Sequence, residues 1–86
     1  MDIAELEIID AKLKGLGYEK LGYMCNSRMG TQYIYDYSLR DRQLTAVIVE
    51  KDNKRRLQSV LVDNGGDEVN MTHQRVESIL HYLLDD

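Results

Sequence analysis

The chain has 86 residues, enough for one domain and one hydrophobic core but not for two. Hydrophobic residues make up 43% and charged residues 30%, which excludes a disordered chain, and the net charge of -4 argues against nucleic acid as the main partner. The single Cys25 excludes an internal disulfide.

Residues Asp2 to Leu16 place Ile3, Leu6, Ile9, Leu13 and Leu16 at steps of three and four, the spacing of one helical face. Asp2 and Glu5 near the start and Lys12 and Lys14 near the end complement the helix dipole, and Gly15 or Gly17 can take the left-handed cap. From Tyr18 to Asp63 the period falls to two. Four strands are expected, over Tyr18 to Asn26, Thr31 to Leu39, Gln43 to Lys51 and Arg56 to Asp63, with connections short enough to require antiparallel neighbours. Gly65 and Gly66 then break the pattern, Asn70 or Thr72 can cap, and Met71, Val76, Ile79, Leu80, Leu83 and Leu84 define a second helical face. Asp85 and Asp86 oppose the dipole at its end, so the last turn is expected to fray.

The expected fold is α+β: a helix, a four-stranded antiparallel meander and a helix, with both helices on one face of the sheet. The opposite face then lacks cover from its own chain. A two-residue turn after Lys51 or Asp52 would align Leu44, Ala46 and Ile48 with Leu57, Ser59 and Leu61; if Arg40 and Asp41 form the preceding turn, Tyr33, Tyr35, Tyr37 and Leu39 join that set, whereas a three-residue turn there would exchange the tyrosines' face. Ile34, Val47, Val49, Val60 and Val62 would share the other face with Gln32, Asp36, Thr45 and Gln58. An unpartnered Asp36 is costly under a helix, which places the helices on the first face and leaves the valine row open.

Few residues suggest chemistry. Gly65-Gly66-Asp67-Glu68 matches the first four letters of the diguanylate cyclase signature, but Val69 stands where that signature has an aromatic residue, and 86 residues are too few for the catalytic domain. Acids in a loop before a helix account for the tetrapeptide. Cys25 shares a strand face with Leu21 and Tyr23, which suggests a small buried hydrophobe. His73 and His81, eight residues apart, could share a helix face but have no third ligand, so no metal or other cofactor is expected. The paired carboxylates Asp63 and Asp67, or Asp85 and Asp86, sit in loops or at the end of the chain. No phosphate-cradling motif is present, and no enzymatic activity is expected.

The expectation is therefore a cytoplasmic protein-interaction module without a membrane span, associating through Ile34, Val47, Val49, Val60 and Val62 as a homodimer or with another protein. The basic Lys54, Arg55 and Arg56 hairpin would orient the contact. The alternative is a nucleic-acid surface in which Tyr33, Tyr35 and Tyr37 stack on bases while Arg28, Arg40 and Arg42 hold phosphates. In size, acidity and lack of motifs the chain resembles accessory and inhibitor proteins of phages and mobile elements, including anti-CRISPR proteins.

Overall fold

The computed structural model describes residues 1–84. Helix α1 (Ile3–Gly15) is followed by strands β1 (Glu19–Ser27), β2 (Gly30–Leu39), β3 (Arg42–Lys51), β4 (Lys54–Asp63) and β5 (Glu68–Asn70), and then by helix α2 (Val76–Leu84). The strands form one antiparallel meander in chain order. The short β5 was not expected, because three residues are too few to show a period of two.

Local chemistry sets both ends of α1. The Asp2 carboxylate accepts from the Glu5 amide at 2.9 Å while the Glu5 carboxylate accepts from the Asp2 amide, a reciprocal capping box that satisfies two otherwise orphaned N–H groups. At the other end Gly17 takes φ +93, and the amides of Gly17 and Tyr18 donate to the carbonyls of Lys14 and Leu13. This is a Schellman stop, and of the two candidate glycines Gly17 occupies its left-handed position.

Three two-residue turns join the first four strands, closed by the pairs Ser27 with Gly30, Leu39 with Arg42, and Lys51 with Lys54. Asp52 and Asn53 both have positive φ, the mirror-image turn geometry that matches strand twist. Gly30 is required twice over. Its φ is +117, and a Cβ there would lie 2.4 Å from the Glu50 carbonyl oxygen.

The core lies between the helices and one face of the sheet. Leu6, Ile9 and Leu13 of α1 and Ile79 and Leu83 of α2 pack with Tyr37, Leu44, Ala46, Ile48, Val60 and Val62. The register of β2 on β3 is the expected one, with Tyr33, Tyr35 and Tyr37 opposite Ile48, Ala46 and Leu44.

The register of β4 departs from the expectation. Ile48 faces Leu57 as anticipated, but Val47 faces Ser59, so Gln58 is an extra residue in a β-bulge. Beyond it the parity reverses. Val60 and Val62 lie opposite Ala46 and Leu44 and are fully buried, whereas Ser59 and Leu61 turn to the other side. Strict alternation would have put Ser59 and Leu61 into the core and two valines on the open face. The bulge exchanges the two pairs, so the polar Ser59 leaves the interior and two valines enter it while Leu61 passes to the open face.

The start of α2 also differs. Met71 is buried but precedes the helix, and Asn70 and Thr72 do not cap it. Instead the Asn70 carboxamide accepts from the Thr72 amide and hydroxyl, while the Thr72 hydroxyl oxygen accepts from the Val60 amide at 2.9 Å. The Met71 amide donates to the Val60 carbonyl. The loop thus satisfies the edge of β4 where β5 ends. Asp85 and Asp86, where fraying was anticipated, lie outside the described residues.

Candidate functional site

Both helices cover the face that carries Tyr37, Leu44, Ala46 and Val60, which leaves the opposite face of the sheet open. By parity and register the open face carries Leu21, Tyr23 and Cys25 from β1 and Gln32, Ile34 and Asp36 from β2. It continues through Thr45, Val47 and Val49 of β3 to Arg56, Ser59, Leu61 and Asp63 of β4. Ile34, Val47 and Leu61 are half-buried among their neighbours, and Val49 is buried. Leu21 and Tyr23 are 63% and 52% exposed.

Three of the five expected apolar contact residues therefore share this face: Ile34, Val47 and Val49. Val60 and Val62 do not, because the bulge at Gln58 turns them into the core. Leu61 takes their place. Its position was signalled by the spacing of Leu57, Val60 and Val62, in which a step of three interrupts the steps of two.

A polar network borders the apolar centre. The Tyr23 hydroxyl donates to Asp36 Oδ2 at 2.8 Å and the Thr45 hydroxyl to Asp36 Oδ1 at 2.6 Å. Asp36 thus lies in the open with its oxygens engaged, as its cost under a helix requires. The hydrogen bond to Asp36 raises the Tyr23 phenol above its ordinary pKa, because the carboxylate stabilises the protonated ring oxygen. Gln32 donates to Gln58 at 3.2 Å, which holds the bulge residue over the sheet.

The end of the open face near the β3–β4 turn is basic. A basin of about 590 Å³ there has Met29, Val49, Lys51, Lys54, Arg55 and Arg56 among the residues that line it. Lys51 and Lys54 are directly opposed, and like charges in that relation destabilise a hairpin. Arg55 is oriented differently from its two basic neighbours. It pairs with Glu50 at 2.9 Å and lies 4.7 Å from the Tyr33 ring centroid on the helix-covered side.

The residues of the alternative surface are dispersed. Tyr37 is buried, and Tyr33 and Tyr35 are half-buried and pack against the core on the covered side. Arg28 stands at one end of the sheet, with Arg40 and Arg42 at the other. Arg42 Nη1 donates to the Leu83 carbonyl at 2.7 Å and so anchors the C-terminus of α2. The tyrosine on the open face is Tyr23.

Two further expectations need correction. Cys25 is exposed, because its side chain lies on the face that neither helix covers and β1, as the edge strand, has a neighbour on one side only. His73 precedes α2, so it does not share a helical face with His81. Among the described residues no cluster of three His, Cys, Asp or Glu is placed to hold a metal ion, and no helix is long and apolar enough to cross a membrane. In the Gly-Gly-Asp-Glu segment, Gly65 takes φ +100 in a loop and Glu68 opens β5 opposite Asp63.

Comparison with protein-family models, with curated proteins and with solved structures finds no match for this chain.

Proposed function

We propose that this chain is a non-catalytic protein-interaction module that docks a partner through the uncovered face of its sheet, in the manner of a small accessory or inhibitor protein. One observation carries the reading. A single face combines an apolar centre of Ile34, Val47, Val49 and Leu61, the exposed Leu21 and Tyr23, and the concentrated charge of Lys51, Lys54 and Arg56. The apolar centre supplies affinity. The opposed lysines carry a repulsion that an acidic group on a partner relieves, which orients the contact.

The test is capture of a partner from the source cell by wild type, by Val47→Asp and by the double variant Lys54→Glu and Arg56→Glu. A specific protein bound by wild type, lost with Val47→Asp and weakened by the charge reversal at unchanged circular dichroism is the expected result. Capture indifferent to Val47→Asp would contradict it. Oligonucleotide binding that falls steeply with salt and disappears on charge reversal would replace the reading with a nucleic-acid one.

A further inference from the structure

The outer edge of the sheet is unusually undefended. All nine residues of β1 are exposed, and only one side of the strand is paired, to β2. Because Ser27 with Gly30 closes a two-residue hairpin, the odd-numbered residues of β1 exchange hydrogen bonds with β2. The N–H and C=O groups of Lys20, Gly22, Met24 and Asn26 therefore point away from the sheet. Folded proteins commonly block such an edge with proline, a bulge or an outward lysine. β1 has no proline, its register with β2 is unbroken, and its one lysine is drawn inward: Lys20 Nζ lies 2.6 Å from Asp10 Oδ1 and 4.8 Å from the Tyr35 ring centroid.

We propose that β1 pairs with β1 of a second copy, antiparallel about a two-fold axis through Tyr23, joining the two sheets into one. The strand itself selects this occupant and register. Tyr23 is the midpoint of Glu19–Ser27, so pairing about it gives every residue of the strand an opposite number. Both charges of the strand, Glu19 and Lys20, lie at one end. Antiparallel pairing sets them against the neutral Ser27 and Asn26, whereas an in-register parallel pair would oppose like charges.

The side chains agree on both faces. On the open side Leu21 meets Cys25 of the second copy, and the two Tyr23 rings flank the axis, extending the apolar centre across the junction. On the other side Gly22 has no side chain, and the Tyr35 ring lies against it, 3.2 Å from where a Cβ would stand. Met24, 58% exposed in one copy, falls opposite Gly22 of the other and gains a thioether contact with that ring. The edge is distinct from the open face, so each dimer would present two such faces side by side.

Sedimentation equilibrium, amide hydrogen exchange and a cysteine cross-link test this together. The wild-type chain should sediment as a dimer, with the outward amides of Gly22 and Met24 exchanging slowly at high concentration and quickly on dilution. Met24→Pro removes an outward N–H without costing a bond to β2, and it should yield a folded monomer. In a Cys25→Ser background, Tyr23→Cys should oxidise to a disulfide-linked dimer, since position 23 is a non-hydrogen-bonded pair on the axis where the Cα atoms approach within disulfide range. Val47→Asp should leave the dimer intact. A wild-type monomer at every concentration would overturn the proposal, as would a dimer that survives Met24→Pro but dissociates with Val47→Asp; the latter result would place self-association on the open face.

Discussion

Beneath α1 the Tyr37 hydroxyl donates to the Asp10 carboxylate, which also receives Lys20 at 2.6 Å and Lys14 at 3.2 Å. Partial burial works against ionisation of Asp10, but the hydrogen bonds from Lys20, Tyr37 and Lys14 outweigh it and hold the carboxyl below its ordinary pKa. Burial, reinforced by the bond to Asp10, pushes the Tyr37 phenol far upward, so it remains a donor at any physiological pH. A carboxyl whose pKa is lower in the folded state stabilises the fold above its unfolded pKa of about 4 and loses that contribution as pH falls through the folded value. The stability difference between wild type and Asp10→Asn should therefore be constant near neutrality and shrink below about pH 4. Chemical denaturation of both proteins across that range measures it, and a difference that grows on acidification would contradict the assignment.

At the scale of elements, the capping box gives a quantitative expectation. Asp2→Ala removes the acceptor for the Glu5 amide and should cost about 1 kcal/mol, lowering the melting temperature by about 4–8 °C. Much of this architecture could be read in advance, because the helix has a cap, a stop and an apolar stripe, and the first strands alternate cleanly. β4 was not fully legible. Its strict period of two breaks at Gln58-Ser59, and a bulge reverses the side of every later residue, so an error of one position moved Val60 and Val62 from core to surface. Cys25 was misplaced for another reason. Parity sets Cys25 beside Leu21 and Tyr23, but that is the face neither helix covers, and at the sheet edge only one neighbouring strand flanks it. That the first strand of a meander must lie at an edge was available from connectivity alone.

Over the whole molecule, which measures 41 by 24 by 22 Å, the open face is charged unequally along the strands. Lys51, Lys54 and Arg56 gather at one end, while Asp36, Asp63 and Glu68 lie towards the other. The net charge of -4 conceals this cationic end. Such a distribution favours one orientation of a docked protein over its reverse and makes the association rate sensitive to salt. The division of the valines between core and open face is what gives the surface its identity. Val47→Asp adds a charge at a half-buried position beside solvent, whereas Val60→Asp leaves an unpaired carboxylate in the core, a cost of several kcal/mol in a domain whose whole stability is about 5–15 kcal/mol. The most direct measurement compares these two variants with wild type by thermal unfolding and partner capture. The expected result is a folded Val47→Asp that has lost its partner and a Val60→Asp that has lost its cooperative transition. A Val60→Asp that melts like wild type, or a folded Val47→Asp that still holds the partner, would contradict it.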